Sequence, residues 1–328
     1  MLRWISKSGT FIQFAIYAIL LLGLWIPAFV NPVLPVITPA DGPLYSLLAS
    51  WVLQYPAVSV AIALILVVVQ SVVLFYLFQS NGFFGRSNFL PAIIVLLAYS
   101  WNGNFQAMHA LLPAGIFIIL ALNSILNMYG RQAAYHQIFG AAFSLSIASL
   151  FYIPLTYFLL LLWFTLITYR VSSWREYAIS IIGYILPFIY YISWLYWDDK
   201  LIMGLNQISG SIFRFTLPEP LSKVNLIWLT VSACIILIAM VAVLNIMGDK
   251  LISLRRRAWV LFNFSFIGLI VVLLTGWPML SINYLFVIPA SFFITGSLTL
   301  IKRPFWFEIL AISYFLLFIG VRVYMVIQ

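Results

Sequence analysis

The sequence predicts an all-α fold, a polytopic bundle of about eleven transmembrane helices, and three observations predict it. Hydrophobic residues make up 65% of the 328 positions and charged residues only 7%, where soluble domains carry roughly a quarter charged; the mean hydropathy is +1.13. Apolar runs long enough to cross, or nearly cross, about 30 Å of hydrocarbon recur along the whole chain. The basic residues between those runs collect on alternate turns, as topology requires.

In chain order the expected spans are 11–30, 57–78, 89–103, 108–129, 138–153, 154–170, 178–197, 226–247, 258–276, 282–301 and 309–327. The opening "MLRWISKSGTFIQFAIYAILLLGLW" has a basic start and no small-x-small cleavage site behind its apolar run, which reads as a retained first helix. Between the first two spans, "LYSLLASWVLQY" is apolar but too short to cross and is bracketed by Pro43 and Pro56. It reads as a helix lying in the membrane interface, with Tyr45, Trp51 and Tyr55 suited to headgroup depth. The 89–103 run is short, and 138–170 reads either as two spans or as one helix kinked at Pro154.

Charge bears on that choice. With a cytoplasmic N-terminus and two spans in 138–170, the inner side collects Arg3, Lys7, Arg86, Arg131, Arg170, Arg175, Lys250, Arg255, Arg256, Arg257, Lys302 and Arg303, twelve of sixteen basic residues. Lys200, Arg214, Lys223 and Arg322 remain for the outer half. One kinked helix would put "LISLRRRAW" outside, so the bias favours eleven spans. The same dispersal over short loops makes the net charge of +9 a topological signal and excludes nucleic acid as its partner. The chain reads as one transmembrane domain over 1–328, the lipid bilayer being its first partner.

Signatures of soluble enzymes are absent: no GxGxxG after a strand, no P-loop, GxSxG or HExxH, and no Cys/His cluster. The single Cys234, inside an apolar run, excludes an intrachain disulfide and reads as a small lipid- or core-facing residue. Glu176, Asp249 and Glu308 fall beside inner-face cations, where they neutralise loops, and the outward acids are Asp41, Asp198, Asp199 and Glu219.

Asp41 stands in "PADGPLY", directly after the first span and before the interfacial segment. A carboxylate near an apolar boundary is costly unless solvated, paired or metal-bound, and in a glycosyl transfer it takes the acceptor's proton or orients a divalent ion. The alternative is a solvated turn whose Asp and Gly suit turn geometry. His109 stands beside "WNGNFQAM", where Trp101, Asn102 and Asn104 offer the amides and aromatic face that can meet a sugar ring; the same residues also suit a tight turn. Arg322, about 20 Å along the last span at 1.5 Å per residue, is a candidate for a lipid-linked phosphate or a snorkelling cation. Arg214, between Phe213 and Phe215, is a second phosphate candidate, and His136 has no assigned role. "LRRRAW" reads as an inner-face anchor that can touch anionic lipid.

A retained first helix, an outward loop with an acid, an interfacial helix and the run "GAAFSLSIASLFYIPLTYFLLLLWFTLITYR" followed by "WREYAISIIGYILPFIYYISW" resemble the GT-C superfamily of polyprenyl-phosphate-dependent glycosyltransferases. The resemblance is a helix-and-loop pattern covering roughly 1–200, with 201–328 as C-terminal helices. It implies a transferase acting on a polyprenyl-phosphate-linked sugar at the outer face of a bacterial inner membrane, with Asp41 in the place of the catalytic carboxylate, either as base or as the group that orients a divalent metal ion, and Arg322 and Arg214 as phosphate clamps. The family often has a second acid near the first; here there is one. The chain also resembles integral membrane proteins of Bacteroidota, which implies no activity. Two other functions remain open: a non-catalytic transmembrane subunit or scaffold of an envelope or secretion assembly with membrane-protein partners, and a transporter or flippase. The last has less support, since paired intramembrane acids and an inverted repeat are missing.

Overall fold

The computed structural model describes residues 10–84, 88–100, 103–131, 133–171, 173–212, 223–248, 250–275, 279–300 and 309. Among these the chain forms α1 (Thr10–Val30), α2 (Pro43–Val52), α3 (Pro56–Ser80), α4 (Leu90–Ser100), α5 (Leu111–Leu126), α6 (Tyr135–Phe151), α7 (Leu159–Tyr169), α8 (Trp174–Trp197), α9 (Leu201–Ile212), α10 (Lys223–Met247), α11 (Ile252–Leu274) and α12 (Met279–Leu300). Five of them are long and apolar enough to cross a membrane, with qualifying segments Phe11–Val30, Pro56–Ser80, Trp174–Trp197, Leu229–Met247 and Ile252–Leu274. The expected span 309–327 lies, apart from residue 309, outside the described residues.

Local chemistry sets the helix ends. Pro43 and Pro56 open α2 and α3, where a missing N–H and a fixed φ cost nothing. The Asn88 side chain accepts the Leu90 N–H at 3.1 Å and Gln13 accepts the Phe89 N–H, so the buried start of α4 has its donors satisfied. Arg170 closes α7 in the left-handed region at φ 59°. Ser173 donates its backbone N–H and its hydroxyl to Glu176 at the start of α8, so this acid serves a helix terminus as well as neighbouring Arg175.

The chain turns between α6 and α7 rather than continuing as one kinked helix. Tyr152 is extended at φ −138°, ψ 103°, and a 3₁₀ turn, Ile153–Phe158, follows. The return is fixed by Tyr169, at the end of α7, whose ring lies edge-on to Tyr129, just before α6, with centroids 5.3 Å apart. Both ends of the 135–169 segment therefore sit at one end of the bundle. At that end Arg257 also donates to the Asn81 carbonyl at 3.2 Å. Arg131, Arg170, Arg175, Lys250 and Arg255–Arg257 belong to it by connectivity, whereas Lys200 and the Lys223 start of α10 belong to the other.

Two expectations are revised. The stretch left between the spans expected at 178–197 and 226–247 is not wholly loop: α9 packs back on the end of α8, where a Cβ at Gly204 would overlap Leu195. In the turn expected at 100–109, the described residues 105–109 are not exposed. Gln106, Ala107, Met108, His109 and Ala110 are all buried, and they follow α4, all eleven of whose residues are buried among α1, α3 and α12. At 1.5 Å per residue α4 reaches only about 16 Å, so its turn lies sunk within the bundle. The first loop covers that turn, with the Val36 N–H donating to the Met108 carbonyl at 3.0 Å.

The covering loop is stitched to the α6/α7 break by a two-residue bridge between Asp41 and Tyr152, in which Gly42 N–H donates to Phe151 O at 2.7 Å and Ile153 N–H to Ala40 O at 3.2 Å. A Cβ on Gly42 would overlap the Leu150 carbonyl, so only glycine permits this approach. Gly42→Ala is expected to destabilise the protein by about 1–3 kcal/mol, the range for forced overpacking. Gly23→Ala, with nothing within 4 Å of its Cβ, should be close to neutral. Thermal unfolding of both variants in one detergent checks this, and equal melting temperatures would refute the stitch.

Candidate functional site

The site is built by the chain between α1 and α2. Thr38, Pro39, Ala40 and Asp41 form a reverse turn closed by the Asp41 N–H donating to Thr38 O at 3.1 Å. The carboxylate of Asp41 answers it: Oδ2 accepts the Thr38 N–H and Oδ1 accepts the Thr38 hydroxyl, each at 2.6 Å. Asp41 is 6% exposed, so the turn reading holds but its solvation does not. Burial is the larger influence and raises its pKa from 3.8 to about 6, against the lowering effect of the two Thr38 hydrogen bonds.

Beside the turn, Thr38, Asp41, Tyr45, Ser46, Ala49 and Ser50 line a cavity of about 220 Å³ between the loop and α2. The segment expected in the interface is helical over Pro43–Val52, with Trp51 82% and Tyr55 61% exposed. Tyr45 departs from expectation: it is fully buried, its hydroxyl 2.8 Å from the Val36 carbonyl and 2.9 Å from that of Met108. Ser46 and Ser50 donate back to helix carbonyls, each at 2.7 Å.

His109 does not line this cavity. It is fully buried, both ring nitrogens lack a hydrogen-bond partner, and its ring meets Tyr284 edge-on with centroids 4.1 Å apart. Tyr284 stacks on Tyr99 at 4.2 Å, the Tyr99 hydroxyl donates to Gln70 Oε1 at 3.0 Å, and Gln70 Nε2 donates to Leu112 O at 2.7 Å. Gly115 makes room for that amide, since a Cβ there would lie 2.6 Å from Gln70 Oε1. Gln70 was not a sequence candidate. Its signal was present as a lone amide in the apolar run "ALILVVVQSVVLF". Trp101, Asn102, Arg214 and Arg322 lie outside the described residues, and Asn104 is described only as part of a 3₁₀ turn, Gly103–Gln106.

The described residues gather few donors around Asp41. Both Asp41 oxygens are engaged by Thr38, Asp198 is held by Lys200 at 2.7 Å, and the described residues hold no group of three or more His, Cys, Asp or Glu that could bind a metal. A second cavity, about 310 Å³ and overwhelmingly apolar, lies between α4, α10, α11 and α12, lined by Ile94, Ala98, Ile236, Met240, Phe262 and Phe286 among others. Comparison with protein-family models, with curated proteins and with solved structures returns no match.

The raised pKa fixes a sign for stability. A group that binds its proton more tightly when folded contributes stability that is present below about pH 4 and is lost as pH rises through about 6. The stability advantage of the wild type over Asp41→Asn should therefore shrink between about pH 4 and 7.5, by up to about 3 kcal/mol at 1.36 kcal/mol per pKa unit. Chemical denaturation at several pH values measures it; a difference that stays constant refutes a buried, proton-binding Asp41.

Proposed function

We propose that this membrane-embedded protein is a GT-C-like transferase acting on a polyprenyl-phosphate-linked sugar at the membrane face that carries the 31–56 segment, with Asp41 as general base. The observation that carries this reading is a buried carboxylate with its pKa near 6 lining a cavity at the interfacial helix. A base is most effective when its pKa approaches the working pH. The acceptor hydroxyl gives its proton to Asp41, its oxygen bonds to the anomeric carbon, and the glycosyl–phosphate C–O bond breaks with its electron pair leaving on the polyprenyl phosphate. The apolar cavity between α4, α10, α11 and α12 offers a path for the carrier's hydrocarbon. In this reading Arg214 and Arg322 clamp the carrier phosphate.

The eleven-pass, inner-membrane arrangement with a cytoplasmic N-terminus belongs to the same proposal, supported by the collection of described cations at one end of the bundle. In a Cys234→Ala background, Ser50→Cys is expected to react with an impermeant maleimide from outside and Arg131→Cys only after permeabilisation. The reverse pattern would invert the reading.

A second reading, a non-catalytic scaffold, is favoured by one feature: His109 is sealed in a filled interior, and Asp41 already has a structural partner in Thr38. Complementation separates the two. The transferase reading expects Asp41→Asn to cut activity by about 10²–10⁴-fold at normal protein level, the range for loss of a general base. Full rescue would leave the scaffold.

A further inference from the structure

The opposite end of the bundle carries a cluster that neither reading uses. Arg256 and Arg257, in the first turns of α11, place their guanidinium carbons 5.7 and 5.9 Å from the centroid of the Tyr129 ring, at the end of α5. Tyr169, at the end of α7, lies edge-on to Tyr129 at 5.3 Å, and the charges of both arginines act on its hydroxyl. Three helix ends thus bring two cations and two phenols together.

Several polar groups there are left without a partner. Tyr169 is 6% exposed and its hydroxyl makes no hydrogen bond. Arg257 Nε is also buried and unpartnered, although Nη1 is fixed by the Asn81 carbonyl at 3.2 Å. Among the described residues no carboxylate pairs with either guanidinium. Two cations side by side repel, and the N-terminal turns of a helix disfavour positive charge further. A buried donor without an acceptor costs about 1–3 kcal/mol. One anion offering several acceptor oxygens would relieve all three costs.

We propose that Arg256, Arg257 and Tyr169 bind the phosphate of an anionic glycerophospholipid in the leaflet at this end. Position selects the lipid as the source. The cluster sits where the membrane-length helix α11 begins, at the level where a lipid places its phosphate. Guanidinium forks suit phosphate oxygens, and the tyrosine hydroxyl adds a third donor.

Native mass spectrometry of the full chain, exchanged into equimolar phosphatidylglycerol and phosphatidylcholine micelles, tests the proposal. The wild type is expected to retain phosphatidylglycerol about tenfold over phosphatidylcholine, the ratio that about 1.4 kcal/mol sets. Arg256→Gln/Arg257→Gln should abolish that preference and Tyr169→Phe should reduce it several-fold, while Arg255→Gln, which removes a neighbouring exposed charge, should leave it nearly intact. Because Arg257 also holds Asn81, the double variant can fail to fold; Tyr169→Phe removes one oxygen and decides the matter alone. An unchanged ratio in Tyr169→Phe, a wild type without preference, or an equal loss in Arg255→Gln overturns the site. Displacement of the lipid by inorganic phosphate at equal concentration overturns the lipid as its source.

Discussion

One constraint organises this molecule: a non-helical turn, 107–110, entered through a 3₁₀ turn, is buried inside an apolar bundle. Irregular backbone at that depth has no water to satisfy it, and each orphaned N–H or C=O costs kilocalories. The protein answers group by group. Ser59 accepts the Met108 N–H at 2.9 Å, Gln106 reaches the Leu24 carbonyl at 2.9 Å, Tyr284 donates to Phe105 O at 3.2 Å, and Trp25 donates to the Ser100 hydroxyl at 3.0 Å. Val36 and Tyr45 meet the Met108 carbonyl from above. The polar residues of α1, α2, α3 and α12 are thus disposed around the turn they satisfy.

From that turn the outer architecture follows. Covering it requires the first loop to run inward over the bundle, and the loop is held there by its bridge to the α6/α7 break, which Gly42 alone permits. The Thr38–Asp41 clasp sets the bend that delivers Gly42 to the bridge and Pro43 to the start of α2. Asp41 is therefore both a structural element of the loop and the one carboxylate lining the adjoining cavity. The proposed catalysis and the clasp draw on the same two oxygens, so a base at this position acts only when an acceptor hydroxyl competes with Thr38.

The two ends of the bundle differ in kind. At the loop end, among the described residues, Asp41 is held by Thr38 and Asp198 by Lys200. At the other end, described cations lean on aromatic faces, Arg256 and Arg257 on Tyr129 and Arg175 on Trp174. Guanidinium groups over rings shed little hydration and remain available to an external anion. A surface of that character suits contact with phosphate-bearing lipid.

By itself the sequence determined that the chain is helical and membrane-embedded, and it located α1, α3, α8, α10 and α11 within a few residues, because hydrocarbon thickness imposes run length and composition directly. It also located α2 as a separate apolar piece too short to cross, since prolines bracket it. It could not show that 106–110 is buried, because the Gly, Asn and Gln of 102–106 suit a surface turn and a satisfied interior turn equally; the difference lies in Ser59, Gln70 and Tyr284, distant in sequence. The helix in 201–212 escaped for a related reason: its short apolar face has meaning only against Leu195. The tertiary structure decided that Asp41 is buried and clasped rather than solvated, and that His109 belongs to an aromatic interior rather than to the Asp41 cavity. Burial and hydrogen-bond satisfaction are properties of neighbours, and neighbours across the bundle leave no period in the chain.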